Sequence, residues 1–337
     1  MHRLAPVLIW GLVAGCAISC ARKEAAGPAA AAGASRALRK TVLQTDWFPQ
    51  AEHGGFYQAL AKGFYADAGL DVAIWPGGPG AGIKLKVTKG DADFGMSRSD
   101  DLILAVSRDM PLMMVAATLQ HDPMGLMVHA ESPVRAFKDL QGRVVIGNVG
   151  LTYIPFLESK YGITFEKRQN TYGLGEFLAN PDVIQQCVVT NEPFFAEQHG
   201  RKVRTLSLVD AGYDCYHTIF CRRQLIRAAP EVVRAFVQAS IRGWRDYVEN
   251  DPAPGNALIL QRNREMTPEL LAFSRREMIA RSLVTGRPAD GEDVGKLSRT
   301  RLADEINTLV QLKILPAPVP LERVMTTEFL PGANADR

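Results

Sequence analysis

Several short segments carry the side chains needed to hold a small polar ring. Asp46-Trp47-Phe48-Pro49-Gln50-Ala51-Glu52-His53-Gly54-Gly55 combines a large aromatic, a rigid proline, a histidine and two glycines. Trp47 can stack on a planar ring, which is worth roughly 0.5–1.5 kcal/mol beyond burial. Gly54 and Gly55 allow close approach to a helix start, whose free N–H groups attract acceptors and anions. Met96-Ser97-Arg98-Ser99-Asp100 is a second such segment. There the hydroxyls of Ser97 and Ser99 can hold a ligand oxygen or nitrogen, and Arg98 can fork a carboxylate or sulfonate. Gln120, Asn148, Tyr153, Tyr172, Asn191, Glu192, Tyr213 and Asp214 complete the candidate set. Glu192 can accept hydrogen bonds from an amino-substituted ring, and Tyr213 can supply a second stacking face. Each has a plainer role open to it: Trp47 and Pro49 as loop braces, His53 as a helix-start histidine, Ser99 as a cap, Glu192 as an exposed loop acid.

These residues act together only if the fold gathers them. Apolar runs at 41–45, 70–75, 92–96 and 112–119 read as strands, and 54–67, 83–89 and 100–108 as helices. A second series begins near Met124, with strands at 125–129, 144–147, 163–168, 186–189 and 203–209. Its helices are expected at 153–160, before Asn180 and at 193–199. A strand at 217–221 returns to the first series, and helices at 231–249, 268–282 and 293–312 follow. Continuous apolar strands flanked by helices predict mostly parallel sheets. The expected fold is α/β in two lobes, 39–122 plus 217–332 and 123–216, with a hinge between them. Open α/β sheets bind ligands at the carboxyl ends of strands, where strand order reverses. Every candidate segment follows a strand or lies at a crossover between the lobes.

The bulk composition narrows the partners. A chain of 337 residues with net charge +3 has no basic stripe for nucleic acid. Basic residues His2 and Arg3 precede an apolar run from Leu4 to Ala14, the pattern of a secretory signal at 1–15. As a helix that run spans about 20 Å, short of the roughly 30 Å hydrocarbon core. Val13-Ala14-Gly15-Cys16 resembles the lipobox of bacterial lipoproteins, which implies acylation at Cys16; Cys20 is a poorer second candidate. The Ala/Gly-rich stretch within 16–38 then reads as a tether. Cys187, Cys215 and Cys221 match neither a disulfide framework nor a metal motif and are expected to be buried thiols. No histidine pairing suggests zinc, and the glycines at 77–82 lack the Lys-Ser/Thr ending of a phosphate loop.

The 46–57 segment, with Ala61-Lys62-Gly63-Phe64-Tyr65 and Ala68-Gly69-Leu70-Asp71-Val72, resembles the binding proteins related to thiamine-pyrimidine and sulfonate importers. Gly90-Asp91-Ala92-Asp93-Phe94-Gly95 and Lys138-Asp139-Leu140-Gln141-Gly142-Arg143-Val144 extend the match, which covers nearly all of 40–332. The resemblance implies a two-lobed periplasmic-binding fold that captures a small planar nitrogen heterocycle for an ABC permease and ATPase. It implies an exported, lipid-anchored monomer without cofactor or enzymatic activity. A sulfonate or other small anion is the alternative ligand, through Arg98. The superfamily also holds a pyrimidine synthase that consumes its own histidine and pyridoxal phosphate, and His53 matches that histidine. The synthase pattern is departed from in two ways: no dense cysteine cluster surrounds Cys215 to Cys221, and an export signal precedes the domain.

Overall fold

A computed structural model describes residues 37–332. The expected signal segment, Cys16, Cys20 and the tether up to 36 lie outside the described residues. From its first strand the chain alternates: β1 (Arg39–Gln44), α1 (Gly54–Ala61), α2 (Phe64–Asp67), β2 (Leu70–Trp75), α3 (Ile83–Lys89), β3 (Phe94–Arg98), α4 (Ser99–Ser107) and β4 (Leu112–Leu119). It then crosses into β5 (Met124–His129), β6 (Val144–Gly147), α5 (Tyr153–Tyr161), β7 (Glu166–Gln169), α6 (Gly175–Ala179), β8 (Ile184–Val188), α7 (Glu192–Gln198) and β9 (Val203–Ser207). It returns through β10 (His217–Arg222) and ends in α8 (Arg223–Ala228), α9 (Pro230–Glu249), α10 (Ala253–Arg262), α11 (Pro268–Ala280) and α12 (Arg299–Gln311).

Two 5-stranded sheets result, ordered β2-β1-β3-β10-β4 and β7-β6-β8-β5-β9. The fold is α/β and two-lobed, as expected. The sheets are mixed rather than mostly parallel. β10 runs antiparallel to β3 and β4, and β5 antiparallel to β8 and β9, while the remaining pairs are parallel. β5 and β10 are the strands that arrive from the other lobe. They enter at the edge where their neighbours leave, so they run the other way. Apolar burial on both faces carries no information about direction, which is why the sequence pattern missed it.

Strand order reverses around β1 in one sheet and around β6 in the other. The loops leaving β1, β3, β6 and β8 therefore open into a crevice of the kind that binds ligands in open α/β sheets. α9 braces the first of these loops from behind. Its stripe of Val233, Phe236, Val237, Ile241, Trp244 and Val248 is buried, as its helical spacing predicts. Phe236 stacks on Phe94 at 3.9 Å between centroids. A Cβ at Gly55 would sit 2.2 Å from the Trp244 ring, so glycine is what lets α1 touch α9. Burying each such aromatic contributes about 1.5–3 kcal/mol, and the packing fixes where the 46–53 loop enters α1.

Three local differences have simple causes. The expected 54–67 helix breaks at Gly63, which adopts φ +73 and separates α1 from α2. α12 starts at Arg299 rather than 293, because the Ser298 side chain caps it by accepting from Arg301 N. α10 was not among the expected helices; Pro252 and Pro254 flank and occupy its first turn, where no N–H is needed. Cys187, Cys215 and Cys221 are buried free thiols. Among the described residues no helix is long and apolar enough to cross a membrane.

Candidate functional site

A cavity of about 740 Å³ lies between the two sheets' carboxyl ends. The first lobe lines it with Asp46, Trp47, Gln50, Glu52, Arg98 and His217; the second contributes Asn148, Asn170, Tyr172, Gln186, Asn191 and Glu192. Pro123, Met124, Leu151, Leu174, Leu178 and Phe195 supply its apolar wall. Of the expected site residues, Trp47, Arg98, Asn148, Tyr172, Asn191 and Glu192 are thus brought together.

Trp47 stands on a braced loop. Thr45 Oγ1 donates to the Trp47 carbonyl at 2.9 Å, and Gly77 N donates to the same carbonyl at 2.9 Å. Any Cβ at Gly77 would meet Thr45 O at 2.4 Å, so the Gly/Pro loop at 76–82 must be slim where it supports this turn. Across the cleft, Tyr172 N donates to Asn170 Oδ1 at 2.8 Å, an Asx turn that holds Tyr172 at φ +64. The Trp47 and Tyr172 rings meet with centroids 5.1 Å apart and planes tilted by 48°. One aromatic from each lobe therefore guards the cavity.

The polar wall is acidic. Asp46 is hydrogen-bonded to His53 Nε2 at 2.8 Å. Loss of water works to raise its pKa, but the His53 hydrogen bond, with the electrostatic pull of the two nearby imidazoles, outweighs it, and the carboxyl is held below its ordinary value. Glu52 is buried and accepts from the Thr190 hydroxyl of the second lobe. Burial dominates there and pushes its pKa up. Burial likewise pushes Glu192 to about 7, although Val188 N donates to it at 2.7 Å. Among the described residues Arg98 is the lone Lys or Arg in the lining, and its charge is already matched. Its Nη1 lies 2.6 Å from Asp122 Oδ2 and its Nε 3.2 Å from Asp100 Oδ1. His217 stands 3.9 Å from Asp46 and 4.0 Å from Asp122, too far to hydrogen-bond either. Burial lowers its pKa against the pull of those two carboxylates, which favours the neutral ring. His217 Nε2 and Asn191 Oδ1 are buried polar atoms with no partner among the described residues, which leaves both open to a ligand.

Nine expected site residues stand outside the lining. Pro49 braces the loop, its carbonyl accepting from Asn263 Nδ2 at 2.8 Å. His53 is fully buried behind Asp46. Gly54 gives room to Tyr247, whose ring a Cβ would approach to 2.3 Å. Ser97 donates to Asp101 at 3.1 Å, and Ser99 donates to Glu305 at 2.8 Å while accepting from Tyr216 N. Gln120 donates to the Lys296 carbonyl at 2.9 Å. Tyr153 donates to Gln186 at 2.9 Å and so acts one layer behind the wall. Tyr213 donates to Asp100 at 2.5 Å. Asp214 accepts from His121 Nδ1 at 2.7 Å and from Asp122 N at 2.9 Å. The common reason is that a strand-end position does not say which way a side chain turns. Asp46, Gln50, Glu52, Gln186 and His217 also line the cavity and were not among the expected residues. Asp46, Gln50 and Glu52 sit in the very loop singled out above, but with Trp47 they follow no regular spacing that would separate them from their neighbours.

One other group has metal-ligand character: donor atoms of Asp100, Cys215 and Glu305 lie within 4.8 Å of one another. Its carboxylates are already engaged, Asp100 by Arg98, Thr152 and Tyr213, and Glu305 by Ser99.

The chain matches known proteins along most of its length. It is 25% identical to the riboflavin-binding protein RibY of Chloroflexus aurantiacus, over 97% of this chain and 97% of that one. It is 26% identical to a formylaminopyrimidine-binding protein of Halalkalibacterium halodurans, over 69% of this chain and 73% of that one. Other relatives are named 4-amino-5-hydroxymethyl-2-methylpyrimidine phosphate synthase. Among solved structures, a putative sulfonate ABC transporter periplasmic sulfonate-binding protein, SsuA of Methylobacillus flagellatus, superposes with TM-score 0.65 at 14% identity, covering 89% of this chain and 95% of that one; at that identity the likeness speaks for the two-lobed fold. The model of the family described as NMT1/THI5 like matches residues 50–253, and the chain belongs to that family.

Proposed function

We propose that this protein is the extracytoplasmic solute-binding component of an ABC importer, and that it closes over a planar nitrogen heterocycle of the thiamine-pyrimidine or flavin kind. The observation that carries this reading is the cavity itself. A ring from each lobe flanks it, and carboxyls and amides edge it, while its arginine is neutralised by two aspartates. A flat ring gains stacking from Trp47 and Tyr172 once those rings part from 5.1 Å to about 7 Å, room for a contact of about 3.5 Å on each face, and its N–H groups find acceptors in Glu192, Asp46 and Asn191. A sulfonate would meet three carboxyls and no free cation among the described residues. The names of the riboflavin- and formylaminopyrimidine-binding relatives point the same way. The volume of about 740 Å³ leaves room for a fused ring system as well as a single pyrimidine.

The reading is of a binding protein rather than an enzyme. The histidine that the synthase branch consumes corresponds to His53, which is sealed at 0% exposure behind Asp46. We further propose lobes at 39–122 plus 217–332 and at 123–216, a signal segment removed before Cys16, and acyl chains on Cys16 anchoring a monomer beside its permease and ATPase. A thermal-shift panel of aminopyrimidines, riboflavin and alkanesulfonates tests the ligand class. The reading requires heterocycles to raise the melting temperature and fails if sulfonates alone do so.

A further inference from the structure

Asp100 touches no part of the cavity, yet both lobes meet on it. It opens α4 in the first lobe and is 2% exposed. From its own lobe it takes the guanidinium of Arg98, with Nε at 3.2 Å. From the second lobe it accepts the hydroxyl of Thr152, the residue before α5, and from the returning crossover it accepts Tyr213 OH at 2.5 Å. The other end of Arg98 is held by Asp122, on the outgoing crossover, at 2.6 Å. Its Nη1 also lies 2.7 Å from Met124 Sδ at the start of β5. Both crossovers and the cleft-facing end of α5 therefore converge on one ion pair, and Arg98 extends that pair into the cavity wall.

We propose that Asp100 is a positioning residue of the binding site, clasping the second lobe through Thr152 and Tyr213 and so setting how far the cleft closes around the ligand. This rests on the reading that the lobes close over a solute. Thr152 stands at the N-cap of α5 but makes no capping bond with its side chain. Its hydroxyl is spent on Asp100 of the other lobe instead, so losing that hydroxyl weakens the joint between lobes without uncapping the helix. Hydrogen bonds to a charged acceptor are the strong ones. They are also directional, so the clasp defines one closure angle rather than a loose range. A ligand seated against Arg98 would press on the same ion pair, which links occupancy to closure.

Small-angle X-ray scattering of the full chain without ligand tests this. Asp100→Asn would remove one of the two carboxylates that match the Arg98 charge and can fail by misfolding, so Thr152→Val is the informative variant, with Thr152→Ser as its rescue. Thr152→Val should shift the closed-to-open ratio by about tenfold toward open, seen as a larger radius of gyration. Thr152→Ser should scatter like the parent protein. Equal scattering from all three proteins, or opening by both variants alike, overturns the proposal. Because no ligand is present, a clasp that behaves as stated while every heterocycle fails to bind would leave the positioning role standing and remove the ligand reading alone.

Discussion

Replacing Glu192 with Gln should stabilise the protein at pH 8 and leave it nearly unchanged below pH 4.5. Glu192 has an ordinary value of 4.5 and is pushed by burial to about 7 in the folded chain. Between those values the folded protein keeps a proton that the unfolded chain has released, so stability falls as pH rises through the window and is level above it. At 1.36 kcal/mol for each pH unit, the full cost of holding the ionised carboxyl in its site is about 3 kcal/mol. That is an upper bound, since the carboxyl opens onto a wet cavity. Glutamine keeps the shape and can still accept from Val188 N, which donates to Glu192 at 2.7 Å, but it never ionises. His217 works in the opposite sense, because burial lowers its pKa and folding then resists its protonation as pH falls. That contribution is common to both proteins and cancels in their difference. Urea unfolding at pH 4.5, 6 and 8 reads the gap directly. The gap should open from near zero to between 1 and about 3 kcal/mol in favour of the variant. A gap of constant size, or a variant less stable at pH 8, refutes the burial argument for this carboxyl.

Two further outcomes follow from the same geometry. Trp47→Ala should weaken binding of a heterocycle by about tenfold or more, from lost stacking and lost burial, read by isothermal titration; an unchanged affinity would make Trp47 a brace only. Gly55→Ala should cost roughly 1–3 kcal/mol by overpacking against Trp244, whose ring atoms lie 2.2 Å from the added Cβ, and a melting temperature equal to the parent's would contradict the close helix contact.

The fold was readable where one physical signal dominates. The apolar runs at Leu112–Leu119 and Val144–Gly147 coincide with β4 and β6, because burial on both faces leaves a continuous signature; β2, at the sheet edge, was readable instead from buried Leu70 and Val72 alternating with exposed Asp71 and Ala73. Strand direction was not readable, since β5 and β10 look the same in composition whichever way they run. β7 shows the reverse difficulty: all four of its residues are exposed, and the apolar pair Ile163 and Phe165 that suggested a strand from 163 packs into the core just before it. At the cavity, residue type and position after a strand picked out the lining residues Trp47, Tyr172 and Glu192. The same rule also admitted Tyr213 and Asp214, which turn toward the joint between lobes, where they meet Asp100 and His121. His217 escaped because it opens a strand, and only the antiparallel entry of β10 brings that end to the crevice. The charge on Arg98 was legible, and Asp100 stands two residues away, but the second partner, Asp122 on the crossover, is brought to it by a pairing that spacing does not reveal.

The claim on which the rest depends is that Trp47 and Tyr172, whose rings meet at 5.1 Å, part to hold a flat, donor-bearing ring between them. A crystal structure of the protein grown with riboflavin or an aminopyrimidine reads this directly. The ring plane should stand between those two side chains, with its polar edge against Glu192, Asn191 or Asp46. A cavity that stays free of either compound at saturating concentration, while an alkanesulfonate occupies it against Arg98, would contradict the account.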